Sequence, residues 1–372
     1  MISNIKLTGF RNFKNKAFKF KKANIVVALN GRGKTNLLES IFLVSTTKTF
    51  RKANNIDLIL KQKDFARIEA DILNDKGEIK IELVVDLTQI NHPKTLKINS
   101  VKKPLFEALG KLRTVYFSPE SLNLIYGSPG ERRKFLDILI CQSDTIYAKN
   151  LTEYNHILQN KNALLKEIKK NNANVKELDF WNQQLSILGS KIIYKRFNVI
   201  KSLSKDIINI YQEISGKNQT VPTHEPKQGE KLEILYKSDA HAKTSLKEIQ
   251  LAMAEKIKER LDFEIMYGKS LVGPQKDDLV FKLDGFKLDV YGSRGEARTS
   301  ILTLKLAEFD YLLDLDPDNP PVLLLDDPFS ELDDVRSKSF IKLIEKSKQY
   351  FITTTNINEV NGIEKGANII EL

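Results

Sequence analysis

Eight consecutive residues near the amino terminus have the spacing of a phosphate-binding loop, Gly-x-x-x-x-Gly-Lys-Ser/Thr. They are Ala28, Leu29, Asn30, Gly31, Arg32, Gly33, Lys34 and Thr35, so only the opening glycine is replaced. Gly31 and Gly33 still let backbone N–H groups approach phosphates closely, provided that Ala28 has a negative φ. We predict that Lys34 contacts the β- and γ-phosphates of ATP and that the Thr35 hydroxyl ligates magnesium. The alternative is a glycine-rich turn between a strand and a helix.

A second candidate site lies near the other end of the sequence, where an apolar run at 322–325 ends in Asp326 and Asp327. An apolar strand that ends in acids fits the Walker B pattern of nucleotide-hydrolysing proteins. Asp326 would orient the magnesium shell, and Asp327 would hold or activate the attacking water. The alternative is that the two carboxylates cap the segment after Pro328. The nucleotide hypothesis requires that Asp326 and Lys34 come together in the fold.

Hydrophobic patterning predicts the elements that position these residues. Apolar and polar residues alternate over 2–20 and 68–87, which predicts strands, and the apolar run at 24–29 predicts a buried strand before a helix through Leu43. Long helical stretches fill 118–260, with a polar loop at 216–229. Strand patterns at 280–290 and 322–325 enclose a helix at 299–315. We take 351–354 to be the last core strand.

Composition excludes a disordered or membrane-spanning protein and favours an anionic partner. Of the 372 residues 41% are hydrophobic and 29% charged, and no apolar stretch has the length of a membrane span. The net charge of +11 supports DNA as a partner, although a lysine-rich solvated surface explains it equally well. The single cysteine, Cys141, excludes an internal disulfide framework, and we expect it to be buried. The first residues lack a signal peptide, so we expect a cytoplasmic protein without membrane contact.

Further motifs run through most of the chain. In order they are Phe10-Arg11-Asn12-Phe13, residues 30–38, Phe117-Ser118-Pro119-Glu120, residues 130–137, Leu271-Val272-Gly273-Pro274 with Asp277-Asp278, Ser293-Arg294-Gly295-Glu296, and residues 325–333. Their combination and order resemble the ABC-type ATPases and, within them, the RecF family of bacterial recombination mediators, which are related to SMC-like heads.

The resemblance implies an α/β fold, namely an ABC-type P-loop ATPase head made of a mixed sheet with helices. We expect residues 1–115 to form the first part of the head and 268–372 the last part, with the signature, Walker B and D-loop motifs. Residues 116–267 would form an inserted helical arm without a long coiled coil.

The resemblance also implies a nucleotide site shared by two subunits, with ATP and Mg²⁺ as cofactors. Ser293 and Gly295 of the signature loop would reach the γ-phosphate on the P-loop of the other copy. Residues 330–333 match the D-loop at that interface. Asn36 and Arg11 are further candidates for nucleotide contact, although Arg11 alternatively serves as a surface charge of the first hairpin.

At three places the sequence departs from the pattern of the ABC-type ATPases or of the RecF family. Glu296 carries a negative charge where the signature usually has glutamine, which would weaken ATP-driven closure. Gln275-Lys276 replaces the common His-Arg pair. Thr355-Asn356 stands where many ABC ATPases have a switch histidine, and RecF proteins generally lack that histidine too. We therefore predict a weak, DNA-dependent ATPase.

The resemblance further implies a function in recombinational DNA repair and replication. ATP would close two copies into a homodimer that clamps single-stranded or gapped duplex DNA and helps to load recombinase together with RecR and RecO. Candidate phosphate contacts are Lys102-Lys103, Arg132-Arg133-Lys134 and Lys169-Lys170, each of which is alternatively a solvated face. The other readings are another SMC-like DNA-structuring or nuclease-associated head, and an ABC transport subunit.

Overall fold

The computed structural model describes residues 1–74, 77–89, 93–215, 230–239, 245–331, 337, 341, 344–360 and 366–372. Its strands are β1 Ile2–Phe10, β2 Phe13–Lys19, β3 Ala23–Val27, β4 Phe65–Asn74, β5 Gly77–Asp86, β6 Lys94–Ile98, β7 Val101–Lys103, β8 Thr114–Phe117, β9 Leu232–Lys237, β10 Asp278–Leu283, β11 Phe286–Lys287, β12 Val322–Asp326, β13 Tyr350–Thr354 and β14 Asn368–Glu371.

The helices are α1 Lys34–Thr46, α2 Asn123–Tyr126, α3 Pro129–Cys141, α4 Thr145–Lys169, α5 Leu178–Leu203, α6 Ile207–Ser215, α7 Leu246–Glu259, α8 Leu261–Tyr267, α9 Leu288–Tyr291 and α10 Arg294–Leu315. In the part of the chain that the structure describes, no helix combines the length and the apolar character that a membrane span requires.

A five-stranded sheet in the order β14-β3-β13-β12-β8 carries both candidate motifs. Its neighbouring strands are all parallel. Every residue of β12 and β13 is buried, as expected for parallel strands that are covered on both faces. Because parallel strands end at the same edge, β3 and β12 bring the predicted phosphate-binding loop and the predicted Walker B acids to one side of the sheet.

A second, antiparallel sheet in the order β2-β1-β4-β5-β6-β7 continues the N-terminal half. Its long strands alternate buried and exposed residues, so one face packs on the interior and the other faces solvent. Helix α1 contacts strands of both sheets, and eleven of its thirteen residues are buried. The helix that follows the phosphate-binding loop is therefore a central element of the core.

The chain divides into two compact units. The first consists of the described residues of Met1–Leu122, Asn209–Gly229 and Arg298–Leu372, and the second of those of Asn123–Ile208 and Glu230–Ala297. The domain boundaries at 115/116 and 267/268 stay a prediction; the compact units change at 122/123 and 297/298.

In the second unit, α4 packs against α5 and α8, and α5 also packs against α7. A three-stranded antiparallel sheet, β11-β10-β9, contacts α3 and α5. Cys141 is buried as predicted.

The structure corrects three expectations about strands. The strand pattern at 280–290 ends earlier than predicted, because residues 288–290 lie in α9. Residues 351–354 are not the last core strand, because β14 follows and pairs in parallel with β3. Strand β9 lies within the stretch predicted to be helical, and its partner β10 is about forty residues further along the chain. Strands β14 and β9 are short and their pairing partners are distant in the chain, so local periodicity gives little indication of either strand. The predicted loop at 216–229 lies outside the described residues.

Candidate nucleotide-binding site

The backbone conformation of the loop between β3 and α1 agrees with that expected of the predicted phosphate-binding loop. Gly31 has φ +79° and Gly33 φ +112°, values that side chains rarely tolerate, whereas Ala28 is not among the residues with positive φ. The condition for replacing the opening glycine by alanine is therefore met. The N–H of Ala28 donates to the Thr354 carbonyl at 3.3 Å, so β3 stays paired with β13 up to the start of the loop.

Lys34 begins α1, and its side chain folds back over the loop. Nζ donates to the Ala28 carbonyl at 2.6 Å and lies 3.4 Å from the side-chain oxygen of Asn30. Only 7% of the residue is exposed. The ammonium group thus lies inside the loop that would surround the phosphates, at the positive end of the helix dipole.

Asn12, in the turn between β1 and β2, fixes the far side of the loop. Its Nδ2 donates to the Arg32 carbonyl at 2.9 Å, and its Oδ1 accepts from Asn36 Nδ2 at 2.8 Å. A Cβ atom on Gly33 would lie 2.6 Å from Asn12 Nδ2, which is closer than real Cβ contacts allow. The positive φ favours glycine at this position, and any side chain here would displace the Asn12 amide from its hydrogen bonds.

Glu39 forms ion pairs with two arginines beside the loop. It is fully buried on α1 and accepts from Arg11 Nε and Nη2, each at 2.8 Å, while Arg51 Nη1 lies 3.6 Å away. Arg11 also donates to the Asp57 carbonyl at 2.6 Å, and Arg51 Nη1 donates to Asn36 Oδ1 at 2.8 Å. Arg11 therefore lies next to the loop, held by a buried carboxylate, and nucleotide contact by Arg11 remains a prediction.

Asp326, the first of the predicted Walker B acids, ends β12, and β13 separates β12 from the β3 strand that leads into the loop. Asp326 is in register with Thr353 of β13, which is in register with Val26 of β3. Two strand spacings, roughly 9.5 Å, separate the β12 and β3 backbones in this row. The positions of Asp326 and of the loop are thus brought together at one edge of the sheet.

Two hydroxyl groups orient the Asp326 carboxylate. Thr353 Oγ1 donates to Oδ1 at 2.6 Å, and the Tyr116 hydroxyl donates to Oδ2 at 3.3 Å. Burial, and then the charge of Asp326, raises the pKa of Tyr116, so the phenol keeps its proton. Asp327 follows in a left-handed conformation at φ +50°, and its N–H donates to Thr353 Oγ1 at 2.9 Å. The backbone therefore leaves the strand conformation at Asp327, directly after the end of β12.

These groups fit a magnesium–nucleotide complex better than a metal site made of protein ligands alone. Among the described residues, no group of three or more His, Cys, Asp or Glu side chains could hold a metal ion. Magnesium typically takes one or two protein oxygens together with substrate phosphates and water. Thr35 at the start of α1, half-buried, and the oriented carboxylate of Asp326 supply such oxygens.

The signature residues belong to the second unit, where they start α10. Ser293 and Glu296 form a reciprocal cap: the Ser293 N–H donates to Glu296 Oε2 at 2.8 Å, and the Glu296 N–H donates to Ser293 Oγ at 3.2 Å. This is the capping-box arrangement, for which glutamate and glutamine are both suited. Glu296 thus has a structural role at the helix start, beside Gly295. Of the predicted D-loop, residues 332 and 333 lie outside the described residues.

Of the predicted basic DNA contacts, Arg132 is placed differently by the structure. It is 8% exposed and makes two bonds to Asp278, with Nε at 2.6 Å from Oδ1, and a third to the Gly127 carbonyl. Arg133 donates to the Asp277 carbonyl. Arg132 therefore stabilises the second unit and is not a phosphate contact.

Sequence reasoning did not assign roles to Asn12, Glu39, Arg51, Tyr116 or Thr353. One signal was available: Glu39 is the only acid in the largely apolar sequence of α1. A lone buried carboxylate in such a helix requires a cationic partner. Asn12 was within a quoted motif, but its contact with the loop depends on how the first hairpin folds back.

Comparison with known proteins decides the family. The RecF/RecN/SMC N-terminal domain matches residues 1–371. The DNA replication and repair protein RecF of Ligilactobacillus salivarius is 34% identical over 365 residues, which cover 96% of this chain and 92% of that protein. The chain belongs to the RecF family.

Solved structures give the same result. The recombination mediator protein RecF in its RecF-ATPrS form superposes with a TM-score of 0.87 at 32% identity over 100% of this chain and 96% of the other. The RecF-ATP form gives 0.86 at 33% identity, covering 95% and 92%. An Smc head at 16% identity and a TM-score of 0.51 shares the fold alone. The RecF family therefore accounts for the mixed α/β ATPase head.

Proposed function

We propose that this chain is an ATP- and DNA-binding protein of DNA replication and recombinational repair. The observation that carries the proposal is the convergence of the Lys34 loop and the oriented Asp326 carboxylate at one edge of the parallel sheet. The RecF relatives are named for DNA replication and repair, and one solved relative is described with ATP.

In the proposed ATP site, backbone N–H groups of residues 29–33 and the ammonium group of Lys34 bind the phosphates, whereas the N–H of Ala28 stays bonded to the Thr354 carbonyl. Thr35 and Asp326 hold magnesium, which supplies charge neutralisation of the phosphates when bound. Asp327 positions or activates the attacking water. Asn36 and Arg11 lie beside the loop, and we propose that both side chains contact the bound nucleotide.

Binding of a fluorescent ATP analogue tests this site. We expect Lys34→Ala to weaken binding about 10- to 100-fold, because a charge-assisted contact to phosphate is lost. Lys63→Ala is the matched control, since Lys63 is an exposed lysine of the same unit. If Lys34→Ala bound the analogue like the control, the loop assignment would be wrong.

Slow ATP hydrolysis at Asp327 is the proposed enzymatic activity. Asp327→Asn should keep the affinity for ATP within about threefold and lower turnover about 100-fold or more, as expected for loss of a group that acts on the attacking water. Asp326→Asn should instead weaken the magnesium dependence of binding. Equal turnover of the Asp327→Asn variant and the parent would exclude the role of Asp327.

We further propose that ATP closes two copies, with Ser293 and Gly295 of one copy reaching the phosphates bound by the other. Light scattering at saturating ATP should then show a dimer, and Lys34→Ala should remain a monomer. Mixing Lys34→Ala with Ser293→Arg provides a sharper test, because the pair retains one intact loop facing one intact signature. Dimer mass in the mixture, but in neither variant alone, is expected; a mixture that stays monomeric contradicts the shared site.

DNA binding is proposed to be dominated by phosphate contacts, in keeping with the net charge of +11. Titration of gapped duplex, blunt duplex and single-stranded DNA, with and without ATP, measures the preference. A steep loss of affinity with salt is expected. If no DNA is bound at low salt, either with or without ATP, the proposal fails.

We propose RecR and RecO as the protein partners, in the cytoplasm. Co-sedimentation of the chain with each of them tests this proposal separately from DNA binding.

A further inference from the structure

Helix α8 in the second unit holds large apolar side chains in solvent. Phe263 is 48% exposed, Met266 51% and Tyr267 56%. Residues three and four apart share one face of a helix, so these side chains form one continuous patch. We call this patch, with its neighbouring cations Arg260, Lys269, Lys166 and Lys169, the α8 surface.

The orientation of α8 is fixed by its opposite face. Leu261 and Ile265 pack against the apolar cluster of Leu165, Ile168 and Leu178. Between them, the fully buried Glu264 lies 2.6 Å from Lys161 Nζ and accepts from the Ser270 hydroxyl and the Leu271 N–H at 2.9 and 2.7 Å. Because turning the helix would expose this cluster and break these bonds, the outward position of the aromatic rings is built into the fold.

Cations surround the rings. The Arg260 guanidinium lies 5.8 Å from the centroid of Phe263, and Lys269 Nζ lies 6.0 Å from that of Tyr267. Gly268, which ends α8, packs beside the side chains of Lys166 and Lys169 of α4. The α8 surface therefore combines four basic residues with two exposed aromatic rings.

Nearby acids reduce this positive charge only partly. Glu259 is paired with Lys256 at 2.8 Å, and Glu167 with Lys170 at 2.8 Å. Asp262 is the exposed acid of α8 itself. The surface thus has a net positive charge, which favours a polyanion over an ordinary apolar protein face.

We infer that the α8 surface binds single-stranded nucleic acid, with bases stacked on Phe263 and Tyr267 and phosphates near the lysines. Exposed aromatic rings bordered by cations are the two components by which proteins bind single strands without reading sequence. A duplex offers phosphates but hides its bases, so the rings contribute only to single-strand binding. The inference rests on the proposed DNA binding and adds a contact that needs no ATP.

Fluorescence anisotropy with an oligo-dT strand and with a blunt duplex, both without ATP, tests the inference on the full chain. The double variant Phe263→Ala/Tyr267→Ala should bind oligo-dT about tenfold or more weakly, because each stacked base contributes at least several-fold. Its affinity for the duplex should change less than about twofold. Phe286→Ala is the matched control: Phe286 is a 64% exposed aromatic residue of the same unit and should bind oligo-dT like the parent.

A second variant separates stacking from charge. Lys166→Gln/Lys169→Gln should lower the salt slope of oligo-dT binding by about 1.4, at roughly 0.7 per phosphate contact. Thermal unfolding should show that both double variants are folded, since all four side chains are on the surface.

The inference is overturned if Phe263→Ala/Tyr267→Ala binds oligo-dT like the parent. This holds even if the same variant has lost affinity for a partner protein, because the α8 surface would then be a protein-binding site. It is also overturned if oligo-dT and duplex binding fall equally. A parent chain that binds no DNA of any form would refute the proposed function itself, which is a different result from an unchanged variant of a DNA-binding parent.

Discussion

The contact between Gly33 and Asn12 allows a quantitative test of how the phosphate-binding loop is held. In Gly33→Ala, the new Cβ would lie 2.6 Å from Asn12 Nδ2 and 2.8 Å from Oδ1. The Asn12 amide must therefore move, and its hydrogen bonds to Arg32 and Asn36 are lost. Two such bonds are worth about 2 kcal/mol in total, in addition to the cost of placing alanine at φ +112°.

Gly31→Ala is the matched comparison. Gly31 also has a positive φ, +79°, but a Cβ there meets no atom within 4 Å. This variant should lose about 1–2 kcal/mol through backbone strain alone. Gly33→Ala should exceed it by about 2 kcal/mol in urea unfolding without nucleotide.

A double-mutant cycle with Asn12→Ala isolates the clash. Once the amide is removed, Gly33→Ala should cost only the backbone strain, so the two substitutions should couple by about 2 kcal/mol, whereas Asn12→Ala and Gly31→Ala should add. If the Gly33 and Asn12 substitutions were additive to within about 0.5 kcal/mol, the contact would not be what requires glycine at this position.

Two further perturbations test buried charges. Glu39→Gln leaves the Arg11 guanidinium, 14% exposed, without its anion, and should lower the free energy of unfolding in urea by about 3 kcal/mol; a loss below about 1 kcal/mol would show that the pair is not effectively buried. Burial raises the pKa of Asp277 from 3.8 to about 6, so between these pH values the folded state binds a proton that the unfolded state has released. The free energy of unfolding that this proton contributes is therefore lost as the pH rises from about 4 through 6. Asp277→Asn has no carboxyl group to ionise. Its free energy of unfolding in urea, relative to that of the parent, should therefore improve by about 3 kcal/mol between pH 4 and pH 7. Parallel pH profiles of the two proteins would contradict the raised pKa.

The role of Glu296 shows how a departure from a sequence pattern can be explained by local structure. As a sequence feature, its charge predicted weaker closure on ATP. In the structure its carboxylate accepts the Ser293 N–H and completes the cap at the start of α10. A glutamine has the same reach and also accepts a hydrogen bond, so the cap tolerates either residue. The effect on closure stays a prediction.

Features that depend only on neighbouring residues were predictable from the sequence. The loop of residues 28–35 is contiguous, and its glycines, lysine and threonine are needed at fixed spacing because one turn must surround one phosphate group. The apolar run of β12 with its terminal acids is equally local. Both were predictable, and the order of the motifs along the chain was sufficient to indicate the family.

How these pieces are held together depends on contacts that form only in the complete fold. Register across β13 aligns Asp326 with the β3 strand, although some 300 residues separate them in the chain. The contact of Asn12 with Gly33 and the outward face of α8 likewise depend on packing between distant segments. The spacing of neighbouring residues determines which atoms a single turn exposes. The partner of a side chain depends instead on burial and hydrogen bonding over the whole fold, and no short stretch of sequence encodes these.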